Sequence, residues 1–204
     1  MTIKALTPDQ TDALQEVMNI AMGQAGDSLA RVLDAFVALS VPRIRILEVA
    51  HLPQTVLEMV GENIEVSAVR QAFYDDLRGE AIVIFGQAGC HDLADLMGYN
   101  QTIDTQAEHE LLLDVANVLV GAILNGITET LGTQLSFSAP SIMAERRPVD
   151  ALINPAELPW SHALMLEVNY SLEQRAFKSH LLMLLAEDAI EALRGAIDHF
   201  MESI

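Results

Sequence analysis

The chain is 204 residues long, 51% apolar with a mean hydropathy of +0.28, and carries 29 acidic against 11 basic side chains for a net charge of −18. The apolar share supplies a substantial core. The charge repels nucleic-acid phosphates and anionic lipid surfaces, so neither nucleic acid nor a membrane is expected as a partner, and a basic patch on a folded protein suits it better. The longest apolar run, Val115 to Leu124, is broken by Asn117 and falls short of the 18 or so residues of a membrane span. The opening MTIKALTPDQ lacks an apolar signal core, and the single cysteine, Cys90, has no intramolecular disulfide partner. A cytoplasmic location is expected.

Thr7-Pro8-Asp9-Gln10 reads as a helix start, with Thr7 as N-cap, Pro8 at the first helical position and Gln10 closing a capping box. From there Leu14, Met18, Ala21, Ala25, Val32 and Phe36 form the apolar face of a long helix. Pro42 then opens an extended segment, RIRILEVA, because proline is tolerated at a strand's first residue. Two further strands follow, Ile64 to Phe73 and Glu80 to Phe85, with Asp75-Asp76 between them, and then a helix over HDLADLMG.

The second half repeats the first. Thr105-Gln106-Ala107-Glu108 restates the helix start 98 residues on, with an apolar face through Leu112, Ala116, Leu119, Ile123 and Ile127. Pro140 opens SIMAERR; strands Ala163 to Ser171 and Phe177 to Leu185 follow, then a helix over AEDAIEALRGAIDHF. No Pro/Gly/Ser-rich linker separates the halves, and three strands each are more stable in one sheet. The expectation is an α/β chain of the α+β type. It forms a single pseudo-two-fold domain over 1–204, with repeats at about 1–100 and 101–204, and long helices packed on one mainly antiparallel sheet.

Opposite the first apolar face, Asp12, Glu16 and Asn19 fall within roughly 60° of one another at about 100° per residue. Solvent alone accounts for one such stripe. It does not account for an acid three residues before an asparagine in both halves, D-x3-E-x2-N-x22-P at Asp12, Glu16, Asn19 and Pro42, and E-x3-D-x2-N-x22-P at Glu110, Asp114, Asn117 and Pro140. This pattern, its continuation NIAMGQAG and its recurrence resemble the CheC group of the CheC, CheX and FliY phosphatases, which act on the phosphorylated chemotaxis response regulator CheY. The resemblance covers most of the chain. Two copies suit the monomeric CheC-like arrangement over the dimeric CheX-like one. The second copy departs from the family, with Asp114 for its glutamate and Glu110 for its leading Asp/Ser.

The resemblance implies an aspartyl-phosphate phosphatase, a hydrolase with no cofactor or metal of its own, because the regulator supplies Mg²⁺ and a lysine. What remains is to place a water in line with the phosphorus, and a neutral amide does that by donating and accepting at once. Asn19 and Asn117 are the candidates, acting by positioning. Glu16, and Asp114 in the second copy, would pair with the regulator's lysine; Asp12 and Glu110 would edge the docking face. Gly23 and Gly26 share Asn19's side of the helix, where either a docking regulator or tight internal packing explains them.

Other constellations are weaker. The six histidines show no ligand spacing, and no G-x-S-x-G elbow or Walker A sequence is present. Cys90 reads as a small buried hydrophobe, Met18, Met22 and Met183 as core, and Trp160 as a loop anchor. The alternative function is a non-catalytic adaptor, like the middle domain of the flagellar switch protein FliM, that docks response regulators or the deamidase CheD. Retention of Glu16 and Asn19 favours the enzyme.

Overall fold

The computed structural model describes residues 5–98, 104–158, 160–173, 175 and 177–203; Met1 to Lys4, at the head of the stretch read for a signal core, lie outside them. The first long helix, α1 (Pro8–Leu33), starts as its sequence dictates. The Thr7 N–H donates to Gln10 Oε1 at 3.0 Å and the Gln10 N–H returns the bond to Thr7 Oγ1 at 3.2 Å. It ends at Asp34, which turns left-handed with φ 48°. That early stop corrects the expected apolar face. Phe36 is beyond the helix and 68% exposed, and Val32 is 44% exposed, because the buried stripe runs instead through Val17, Leu29 and Leu33.

The chain continues through β1 (Val37–Leu39), β2 (Arg43–Glu48), α2 (Leu52–Val60), β3 (Glu65–Asp75), β4 (Gly79–Gly86) and α3 (Gln87–Leu96). The second half follows as α4 (Thr105–Leu131), β5 (Leu135–Phe137), β6 (Ser141–Pro148), β7 (His162–Leu172), β8 (Lys178–Ala186) and α5 (Glu187–Ser203). The N-cap of α4 is Asp104 rather than Thr105. Its carboxylate accepts the Ala107 N–H at 2.8 Å, which puts Thr105 at the first helical position rather than at the cap. Glu108, expected to complete the box, is buried and accepts from Arg146 Nη2 at 2.6 Å instead. Helix α2 and the three-residue strands β1 and β5 had no counterpart in the sequence reading.

All strand pairings among the described residues are antiparallel, in one sheet ordered β1-β7-β8-β4-β3-β5, with β2 also on β7 and β6 also on β3. Strands β1 and β2 therefore lie end to end along β7, and β5 and β6 along β3. Each edge bends at the residues before its proline. There Ser40 exchanges backbone and hydroxyl bonds with Asn169, and Ser138 does the same with Ala72. Each half thus completes the other's hairpin, and the central seam is β4 against β8.

One sheet face packs Val69, Phe73, Val83, Phe85, Leu166, Val168 and Leu181 beneath α1 and α4, with α3 and α5 alongside. Met18, Met22 and Met183 lie in this core, and Cys90 is buried at its border. The other face packs Ile82, Ile84, Met165 and Leu182 under Leu52 and Val56 of α2, with Trp160 at the margin. Helix α4 is long and apolar enough to cross a membrane, yet 61% of its most apolar window is buried inside the protein, as a core helix requires.

Candidate functional site

Helices α1 and α4 form the principal helix pair. They approach closely where Gly126 faces Ala21: a Cβ on Gly126 would come within 2.6 Å of the Ala21 Cα. Further along α1, Gln24 and Ser28 share a shallow hollow with Asn117, Gly121 and Asn125. Moving up α1 therefore moves down α4, so the pair is antiparallel. The repeat offset carries Ala21 to Leu119 and Ser28 to Gly126, so the pseudo-two-fold axis passes midway between the Ala21–Gly126 and Ser28–Leu119 levels of the pair.

Asp12, Glu16 and Asn19 on α1, and Glu110, Asp114 and Asn117 on α4, are all exposed. Within each half the acid and the amide are one turn apart on one helix face. From the Ala21–Gly126 contact, the two asparagines are about eleven residues, or ~16 Å, apart along the helix axes, too far to share one phosphoryl group. There are two candidate sites.

Of the flanking glycines, Gly23 is exposed, with nothing within 4 Å of where a Cβ would sit. Gly26 is different. It is buried, and a Cβ there would come within 2.9 Å of a Leu39 methyl of β1, so internal packing accounts for Gly26 while the surface at Gly23 stays open. Next to Asn19, Ile20 is 41% exposed, and Phe137, 37% exposed, lines the hollow beside Asn117. These apolar contacts were missed by the sequence reading because neither lies on the polar stripe.

The two sites differ in what lies beneath them. The Asn117 Oδ1 accepts from Gln71 Nε2 at 3.3 Å, and the same nitrogen donates to the Ser138 carbonyl at 2.7 Å. Gln71, 1% exposed on β3, points with Val69 and Phe73 toward the helices, and its Oε1 has no partner among the described residues. The amide is not simply reversed. Exchanging its ends would set two acceptors face to face across the 2.7 Å gap to Ser138. Asn117 is thus held by its oxygen, which keeps a second lone pair, and presents its N–H₂ outward. Asn19 makes no side-chain hydrogen bond among the described residues; at the corresponding place on β7 stands the buried Val168. A glutamine alternating with the buried Val69 and Phe73 on one face of its strand was the available sequence signal.

Elsewhere, the thiol of Cys90 is pushed up to about 12 by burial, with the Glu108 carboxylate adding to it, and the Tyr170 phenol is raised by burial. Neither is an activated nucleophile.

Residues 10–46 match the CheC-like family, a stretch that contains Asp12, Glu16, Asn19 and Pro42. The whole chain is similar to Thermotoga maritima FliY, with a TM-score of 0.74 at 19% identity over 97% of this chain and 100% of that one. It is also similar to the chemotaxis protein CheX from Desulfovibrio desulfuricans, at TM-score 0.56 and 13% identity over 82% of this chain and 99% of that one. The FliM middle domain from H. pylori aligns at TM-score 0.62 and 8% identity over 94% and 99%. No curated protein sequence matches. The CheC-like match is thus confined to the first helix and the strands just after it, while the fold is shared with FliY and FliM over nearly the full length of the chain and with CheX over most of it.

Proposed function

We propose that this CheC-like chain works in chemotaxis signalling as a cytoplasmic, monomeric phosphatase that hydrolyses the aspartyl phosphate of a CheY-type response regulator. The observation that carries the proposal is the exposure of Glu16 and Asn19, one turn apart on α1, inside the segment that matches the CheC-like family. An acyl phosphate needs no protein nucleophile to be hydrolysed; it needs a water in line with the phosphorus. Asn19 holds that water by accepting a hydrogen bond from it while its N–H₂ group donates to a phosphoryl oxygen, and a carboxylate in its place would repel that oxygen. Glu16 pairs with the regulator's lysine and fixes the helix across the phosphate. The regulator's own Mg²⁺ supplies the charge neutralisation. Ile20 and the bare backbone at Gly23 extend the contact surface, with Asp12 at its edge. Asp114 and Asn117, with Glu110 beside them, form the second copy.

The shared fold with the FliM middle domain favours one other reading, an adaptor that docks a regulator, or a deamidase such as CheD, without hydrolysis. One experiment separates them. A phosphorylated CheY-type regulator is mixed with the purified chain in the presence of Mg²⁺ and phosphate release is followed. Acceleration that disappears in Asn19→Ala while binding persists is the result expected of the phosphatase. Binding with no acceleration by the intact chain would select the adaptor.

A further inference from the structure

The sheet face turned away from α1 and α4 carries a cavity of about 440 Å³, within the range of small-molecule sites. Arg70 of β3 and Arg147 of β6 line it together with apolar side chains, among them Ile82, Leu184, Leu152 and Leu158. Both arginines are exposed, and among the described residues neither lies within 4.0 Å of a carboxylate, in a chain with 29 acidic side chains.

The other half of the molecule shows what fills this position there. Arg43 of β2 lies opposite Glu167 of β7, as Ser141 of β6 lies opposite Arg70 of β3. Glu167 is only 1% exposed and is flanked by the guanidinium groups of Arg43 at 3.6 Å and Arg45 at 3.2 Å. One half therefore supplies its own carboxylate to two arginines. In the other half an arginine replaces that carboxylate and lines a cavity. The covering segments differ as well. The nine-residue α2 follows β2, whereas two single 3-10 turns at Val149–Ala151 and Pro155–Glu157 follow β6 and leave the space open.

We propose that this cavity binds a small organic carboxylate with an apolar body, its carboxylate pairing with Arg70 and Arg147 as the Glu167 carboxylate pairs with Arg43 and Arg45. A planar guanidinium grips a carboxylate through two parallel hydrogen bonds, and the aliphatic lining takes the hydrocarbon. Glu80 and Glu157 also line the cavity, the latter accepting from Asn154 Nδ2 at 2.9 Å. They oppose a second negative charge, so the site selects a monoanion over inorganic phosphate. The site lies across the sheet from Asn19 and is independent of the phosphatase reading.

The test is calorimetric titration of the full chain with sodium octanoate, with octylamine and inorganic phosphate run beside it. Saturable octanoate binding is expected, weakened about tenfold or more in Arg70→Met and in Arg147→Met and unchanged in Arg31→Met, whose guanidinium is paired with Asp27 on α1. Thermal melts check that each variant is folded. If Arg70→Met is not, Arg70→Lys replaces it, keeping the charge but losing the two-pronged grip, and a several-fold loss is expected. No saturable binding, octylamine or phosphate binding as tight as octanoate, or an affinity indifferent to both arginines would overturn the proposal.

Discussion

Asn19→Ala and Asn117→Ala are expected to have very unequal effects on phosphate release. Aspartate is one methylene shorter than glutamate, so Asp114 reaches roughly 1.5 Å less far from α4 than Glu16 does from α1. A charge-assisted bond to the regulator's lysine is best near 2.8 Å, so the second helix must dock closer to make it. Docking closer displaces Asn117 from its water, and a misplacement of about 1 Å costs on the order of a hundredfold in rate. Gln71 adds to the deficit. Its 3.3 Å bond to Asn117 Oδ1 holds the amide toward the sheet, and breaking it to let the oxygen turn costs about 1 kcal/mol, or about fivefold. Asn19→Ala should therefore leave on the order of 1% of the activity or less, and Asn117→Ala nearly all of it. The assay is initial phosphate release at saturating phosphorylated regulator with Mg²⁺. In the Asn19→Ala background, Gln71→Leu should raise the residual rate by up to about fivefold, with the folded state checked by thermal melt. If Asn117→Ala proved the more damaging single change, the argument from reach would fail. Asp114 would then be the acid of the principal site.

The glycines make a paired prediction by thermal melt. A Cβ on Gly79 would fall 2.1 Å from the Leu184 carbonyl oxygen, so Gly79→Ala should cost about 3 kcal/mol and lower Tm by roughly 6–12 °C. Gly23→Ala should instead raise stability by up to about 1 kcal/mol while slowing phosphate release, since the added methyl meets nothing within the chain but stands on the surface proposed to dock a regulator. Cys90 should resist thiol reagents at pH 7.5 in the folded protein and react at once in urea, because a thiol pushed up to about 12 is almost never ionised; its replacement by serine should leave turnover intact. His180 is lowered first by burial, with Lys178 acting the same way and Glu167 opposing. The unfolded chain then takes up the proton first as pH falls. The contribution to stability is full above about 6.5 and declines below it, and His180→Gln should flatten the urea midpoint between pH 6.5 and 5.5.

The order of the long helices and of the main strands was readable because each of these elements carried a local signal. The capping box at Thr7, the prolines at 42 and 140 and the buried runs of β3, β4, β7 and β8 each reflect a preference that holds before any tertiary contact forms. What was not readable depends on the partner strand. Nothing within RIRILE says that it pairs with β7 of the opposite half rather than with β3 next in sequence, since register follows from which hydrophobic face the whole sheet buries. Helix α2 was hidden because nine residues with a proline in the first turn fit a surface connection as well as a helix, and what ties it down is the burial of Leu52 and Val56 against the sheet, with Leu57, Met59 and Val60 partly buried beside them.

The same distinction runs through the candidate site. Asp12, Glu16 and Asn19 were found because helical periodicity alone puts them on one face, and burying Leu14, Met18 and Ala21 on the other forces that face outward. Gly23 and Gly26 share a residue type and a helix side, yet Leu39 covers one and leaves the other open, which is a fact about β1 and not about α1. Gln71 lies 46 residues from Asn117, on a strand whose neighbours are chosen for packing. The pseudo-symmetry makes the consequence concrete. Two acid–amide pairs stand on two antiparallel helices, but the sheet carries a glutamine bonded to one amide and a valine at the equivalent position in the other half, so the halves are not equivalent where it matters for an amide that must turn. A ranking of the two sites therefore follows from the strands that support them, as much as from the helices that display them.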